Sequence, residues 1–308
     1  MARPPIKGAI NPVRTDTHTV ELSKPGLQVK DGVVLSEITP SLTDNHVVEF
    51  CKMGYLMLED AVPDEINRRT YEYLTAHPTG QPIELLNEEW FIEQVLLNPL
   101  AAGAVRSLLG KNFMLPKGVA NHRIECPAPA QGWHRDGGSR HGPALNHLQV
   151  FYYPQDTPIE LGPTGLVPTS HFYFTLSRCM GHYSSIRSSV NTAAPAGTIF
   201  ITVYSIWHRR SESTAHGIRN MLKYCYWRTV QPERDWVVEP DFDPATAEYS
   251  VDGPFLQPPR QQFRDWFDTA EMFFWLCGNP EGLRELFGYS DWPMGYPPGW
   301  QPEQLYKP

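Results

Sequence analysis

Between about residue 111 and residue 230 the chain breaks into short apolar runs: "NFMLPKGV", "NHLQVFYYP", "TGLVPTS", "GTIFITVYSIW" and "MLKYCYWRTV". Each is closed by glycine, proline or a polar turn. Runs this short, at fairly regular spacing, are strand signals, and strands in series fold into a sandwich or a barrel. Proline fills 30 of the 308 positions. Every proline removes a backbone donor and obstructs the helical turn before it, so a mainly helical chain is disfavoured.

The flanks read differently. Residues 1–40 form an extended arm with little helical period. In "SLTDNHVVEFCKMGYLMLEDAVP", Thr43 or Asp44 caps a helix whose apolar face includes Val47, Val48 and Cys51, and a strand follows Gly54. "PDEINRRTYEYLTAH" predicts a second helix opened by Pro63. "NEEWFIEQVLLNPLAAGAVRSLLG" predicts a further helix ended by Gly110. Residues 231–258 are rich in proline and aspartate and read as loop. "RQQFRDWFDTAEMFFWLCG" predicts a C-terminal helix, followed by a Pro/Trp tail. The expected organisation is one domain over 1–308, with an arm (1–40), a helical part (41–110), a β core (111–230) and a C-terminal loop, helix and tail (231–308).

The net charge is −8 and no lysine- or arginine-rich run stands out. Nucleic acid and anionic membrane surfaces are therefore not expected as partners. The five cysteines are widely spaced, with no C-x-x-C pair, as in a cytoplasmic protein with reduced thiols. No apolar run approaches a membrane span, and "MARPPIKGAINPVR" lacks the apolar centre of a signal peptide.

The chemistry concentrates in "QGWHRDGGSR", residues 131–140. Side chains two apart on a strand share a face, so His134 and Asp136 can both look into the mouth of a barrel. Two histidines and one carboxylate with open positions suit Fe(II). His208, at the end of "GTIFITVYSIWH", is the best third ligand. Arg219 opens the next strand, where its guanidinium can hold a carboxylate through paired hydrogen bonds. Each element alone has a plain structural reading; their joint order is the signal. Among the other histidines, His216 lies in a "TAHG" loop too near Arg219, His171 orders a loop, and His122 belongs behind the ligands.

That order resembles the iron- and 2-oxoglutarate-dependent dioxygenases, and more narrowly the phytanoyl-CoA dioxygenase family. "KMGYLMLEDAVPDEI" is similar to the family's early strand and helix, and "NPLAAGAVRSLLG" to the helix before its barrel. "WHRD" is similar to its "WHxD", "ELGPTGLVPTSH" to its "NGPxxxxPGSH", and "HRRSESTAHGIR" to its distal His-to-Arg segment. The resemblance covers roughly residues 40–230. Three departures stand out: Thr169 replaces the usual glycine, Arg209 and Arg210 stand where glycine and serine are frequent, and the common asparagine of that loop is missing.

The resemblance implies a mainly β fold with flanking helices around a double-stranded β-helix, the jelly-roll or cupin-like core. It implies His134, Asp136 and His208 as Fe(II) ligands and Arg219 as anchor of the distal carboxylate of 2-oxoglutarate. Thr164 and Gln131 match positions that contact this co-substrate in some relatives. With O2, the implied activity is hydroxylation of a small organic metabolite in secondary metabolism; desaturation, epoxidation or rearrangement use the same ligands. Asp136 favours oxygenation over halogenation, because related halogenases carry a small residue there. Arg140, Asn121 and Arg123 are candidate substrate contacts beyond the barrel mouth. The oligomeric expectation is a monomer or homodimer. The alternatives are a non-catalytic jelly-roll metal-binding or sensor protein and a zinc hydrolase.

Overall fold

The computed structural model describes residues 28–136, 142–173, 181–251 and 259–287. Its centre is a pair of antiparallel sheets. The first has five strands, built from β3 (Tyr55–Leu58), β4 (Val119–Asn121), β6 (His147–Tyr152), β9 (Ile199–Val203) and β12 (Leu222–Trp227), in the order β3-β9-β6-β12-β4. The second is built from β5 (Ile124–Ala128), β7 (Thr164–Val167), β8 (Val190–Asn191), β10 (Trp207–Arg210) and β11 (Ser213–Arg219). Here β10-β7-β8 and β11-β5 are linked end to end, because residues 124–134 run antiparallel to residues 207–219. Arg219 faces Ile124, Ser213 faces Ala128, and His208 faces His134 in a bridge. Neighbouring strands come from distant parts of the chain, the connectivity of a jelly roll, and no closed barrel forms among the described residues.

Alternation along the strands gives each sheet two jobs. Leu148, Val150, Tyr152, Ile199, Ile201, Leu222, Tyr224 and Tyr226 face outwards and join the core shared with the helices. Phe151, Tyr153 and Phe200 face inwards, and with Leu166, Ile206 and Met221 they fill the space between the sheets. Trp133, Val167 and Trp207 form a smaller cluster on the far side of the second sheet.

The flanking helices are α1 (Asp44–Met53), α2 (Asp64–Ala76), the single turn α3 (Glu89–Phe91), α4 (Pro99–Leu109), α5 (Pro259–Leu276) and α6 (Pro280–Phe287). Thr43 caps α1 by accepting from the His46 amide, and His46 returns the bond to the Thr43 amide. Gly54 ends the helix at φ 78° with its amide donating to Phe50. Asp44 is fully buried, and accepts from Arg234 Nε and Nη2, Trp236 Nε1 and the Glu239 amide, all at 2.7–2.8 Å. It ties the long 231–251 segment to the first helix.

Three expectations are corrected. The helix expected over 88–110 is broken. After α3 the chain makes a wide turn at Ile92–Leu96, and α4 starts afresh at Pro99. Proline forces the residue before it out of helical geometry, and Asn98 (ψ 130°) caps α4 through the amides of Leu100 and Ala101. The extended arm contains a short ladder, β1 (Val29–Lys30) with β2 (Val33–Val34), while residues 1–27 lie outside the described residues. Beyond the C-terminal helix, α6 stands where the tail was expected to begin. The described cysteines are free thiols. No helix among the described residues is long and apolar enough to cross a membrane.

Candidate metal centre

The ladder between residues 124–134 and 207–219 places the metal candidates. The chain alternates through Trp133, His134, Arg135 and Asp136. Trp133 packs behind the sheet and Arg135 sits 5.4 Å from the Trp207 ring on that side. His134 and Asp136 take the inner face. His208, opposite His134, joins them, and one ligand atom from each of the three lies within 4.8 Å of the others.

Two backbone carbonyls settle which imidazole nitrogens are available. His134 Nδ1 donates to the Gly132 carbonyl at 2.9 Å, and His208 Nδ1 donates to the Ile206 carbonyl at 3.1 Å. A carbonyl only accepts, so Nδ1 carries the proton and Nε2 keeps its lone pair. His208 Nε2 is buried without a hydrogen-bond partner among the described residues and lies 3.6 Å from Asp136 Oδ2. Burial, reinforced by Lys223, pulls His208 down to about 4 and keeps it neutral. Burial opposes the charge of Asp136, but Lys223, His208 and hydrogen bonds from Lys223 and Gln149 outweigh it and hold the carboxyl at about 2. Two imidazoles and one carboxylate, with a bare His208 nitrogen aimed at the carboxylate, make a donor set that fits a divalent transition metal.

Arg219 is 1% exposed and reaches back between the sheets. Its Nη2 donates to Thr164 Oγ1 at 3.2 Å, its guanidinium lies 5.6 Å from the Tyr153 ring, and its Nε and Nη1 are buried with no hydrogen-bond partner among the described residues. The Thr164 amide in turn donates to the Tyr153 hydroxyl at 2.9 Å. The structure thus brings Arg219 and Thr164 together.

Other candidates fall elsewhere. Gln131 is exposed, and its amide oxygen accepts from the Arg210 backbone at 3.2 Å. Asn121 is buried and bracketed by Asn220 and the Met221 amide. Arg123 is exposed, and Arg140 lies outside the described residues. His216 sits in β11 rather than in a loop, at an irregular point of the ladder, and is exposed. His171 is buried against the Cys51 carbonyl, a bond that orders the turn after β7.

Sequence reasoning missed two residues beside the triad. Gln149 Nε2 and Lys223 Nζ, both from the five-stranded sheet, donate to Asp136 Oδ2. The available signal was a polar residue inside each apolar strand, "HLQVFY" and "LKYCYW". A cavity of about 690 Å³ opens on Asp136, bordered also by His122, Tyr204, Lys223, Met114 and Trp227. Burial, then Lys223 and Arg219, lower His122 to about 3, so it borders this cavity as a neutral ring.

No protein-family model matches the sequence, and no curated protein matches it. Solved structures share the fold. HygX from Streptomyces hygroscopicus, with nickel and 2-oxoglutarate bound, matches with a TM-score of 0.51 at 16% identity, over 62% of this chain and 88% of that one. EctD from S. alaskensis with bound Fe matches at 0.52 and 15% identity, over 71% and 87%. HygX with nickel, 2-oxoglutarate and hygromycin B matches at 0.50 and 15%, over 61% and 88%. At these identities the likeness is one of fold, and it agrees with the mainly β, jelly-roll reading of the sequence.

Proposed function

We propose that this chain is an Fe(II)- and 2-oxoglutarate-dependent oxygenase that hydroxylates a small organic metabolite. The observation that carries the reading is the pairing of the His134–Asp136–His208 cluster with Arg219, whose buried Nε and Nη1 have no hydrogen-bond partner among the described residues. A buried guanidinium with unmet donors is costly unless an anion completes it. A zinc hydrolase has no use for such an anchor. HygX, which shares the fold, was crystallised with 2-oxoglutarate.

When bound, the iron supplies oxidation by O2, in which a substrate C–H becomes C–OH while 2-oxoglutarate becomes succinate and CO2. The chain's own part is to bind, orient and exclude water. Arg219 and Thr164 take the distal carboxylate. The Gly132 and Ile206 carbonyls fix the imidazole tautomers. Phe151, Leu166 and Ile206 keep the space between the sheets dry. The cavity beside Asp136 gives the substrate its place, with Tyr204 and Trp227 on its wall. The same reading makes the chain one oxygenase domain of secondary metabolism, cytoplasmic, and monomeric or homodimeric.

The test is spectroscopic. Protein given Fe(II) and 2-oxoglutarate without oxygen should develop a weak visible charge-transfer band. No band, with Fe(II) shown to be bound, overturns the reading. A panel of metabolites screened for stimulated succinate release then identifies the substrate.

A further inference from the structure

Arg210 follows His208 by two residues on β10, so both side chains leave the strand on its inner face. Its partner across the sheet is Thr164, as Leu166 is the partner of His208. Partners in an antiparallel pair project to the same side. Thr164 is also the residue whose hydroxyl receives Arg219. Arg210 and Arg219, nine positions apart in sequence and on successive strands, therefore converge over one threonine.

Both guanidinium groups are incomplete. Among the described residues, Nε and Nη1 of Arg210 are buried without a hydrogen-bond partner, as are Nε and Nη1 of Arg219. No described carboxylate forms an ion pair with either arginine. Two like charges held together at the edge of a dry space, with four unmet donors, are relieved by an anion that brings both charge and acceptors. A carboxylate offers two oxygens and about four lone-pair directions, enough to serve two guanidiniums at once.

We infer that Arg210 is a second anchor of the co-substrate, and that Arg210 and Arg219 clamp the distal carboxylate of the 2-oxo acid between them. The inference rests on the 2-oxoglutarate reading above and deepens it. The site would then select a dicarboxylic 2-oxo acid through two cations. Arg210 would give charge and hydrogen bonds without touching the metal.

The test uses the full chain loaded with Fe(II) in the absence of oxygen, titrated with 2-oxoglutarate by the charge-transfer band and by calorimetry. Arg210→Met should weaken 2-oxoglutarate binding by about tenfold or more, the effect of losing charge-assisted hydrogen bonds. Its Fe(II) affinity should stay that of the wild type. The metal-free variant should melt no lower than the wild type, since one of two repelling charges is gone. Arg210→Lys should recover part of the lost affinity. Unchanged 2-oxoglutarate affinity in Arg210→Met overturns the clamp. So does a loss of Fe(II) affinity equal to the loss of 2-oxoglutarate affinity, which would mean that Arg210 acts on the fold around His208. A wild-type protein that binds Fe(II) but not 2-oxoglutarate is a distinct result: it defeats the oxygenase reading, and this inference with it.

Discussion

At His134 and His208 a single backbone carbonyl decides which ring nitrogen is left for a ligand. The buried, unpartnered Nε2 of His208 makes that residue indispensable. His208→Ala should reduce Fe(II) affinity by on the order of 100-fold or more. His216→Ala, on an exposed position of β11, should leave it unchanged. Anaerobic calorimetry with Fe(II) distinguishes them, and the reverse pattern would mean that the distal ligand is His216. A second prediction concerns stability alone. Asp44 is buried and spends both oxygens on Arg234, Trp236 and the Glu239 amide. Asp44→Ala strands those donors and should cost about 3 kcal/mol in urea unfolding; a loss under about 1 kcal/mol would mean that the segment after β12 does not depend on this anchor. The residue scale also shows what the sequence makes legible. The two-residue spacing of His134 and Asp136 fixes a shared face whatever surrounds them, and the same parity puts Arg210 beside His208. That Arg210 meets Arg219 depends on the path of β11 and on the register with β7, and no spacing along the chain encodes either. Gln149 and Lys223 reach Asp136 from the opposite sheet, so only the packing of the sheets reveals them.

Among the elements, the strands were legible because a period of two survives in short runs, and the long helix over 88–110 was not because one Asn-Pro step overrides its apolar pattern. The end of α1 is held by geometry that permits no side chain. Gly54 is left-handed, and a Cβ there would lie 2.4 Å from His171 Nδ1. Gly54→Ala should therefore destabilise the fold by more than about 1 kcal/mol, from the left-handed backbone alone. The clash with a buried ring adds to it, and a melting temperature equal to the wild type would refute the argument. Helix α5 carries a different signature. Burial raises Asp268 to about 7, Arg264 works against the rise, and Glu271 and Asp265 add to it. An unfolded aspartate loses its proton near pH 4, as expected for a free carboxyl. Between about pH 4 and 7 Asp268 thus holds a proton that the unfolded chain releases, and its own contribution to stability falls as pH rises through that window, against the opposite contribution of the buried neutral His122, His171 and His208, lowered to about 3 to 4. Asp268→Asn should remove this contribution and turn the slope of stability against pH more positive between about pH 4 and 7, in urea unfolding at a series of pH values. An unaltered slope would mean that Asp268 titrates alike in the folded and the unfolded chain.

For the molecule as a whole, the candidate ligands all belong to one ladder of the second sheet, while Lys223 and Gln149, which donate to Asp136, belong to the first. Lys223 donates to Asp136 Oδ2, so the two sheets are joined across the site by an ion pair. A metal ion taking that oxygen must displace the ammonium or share the carboxylate with it. Loading the site with metal exchanges a contact between the sheets for bonds within one ladder. Lys223→Met removes the competitor. The metal-free variant should melt below the wild type, because Asp136 keeps its charge in a half-buried place without its cation. The rise in melting temperature on adding Fe(II) should be larger than in the wild type, since stabilisation by a ligand grows with the logarithm of its concentration over its dissociation constant. Thermal unfolding under argon, with and without Fe(II), reads both quantities. A smaller rise in the variant would show instead that Lys223 holds Asp136 in its ligand position, and that the sheets cooperate in building the site rather than compete for its carboxylate.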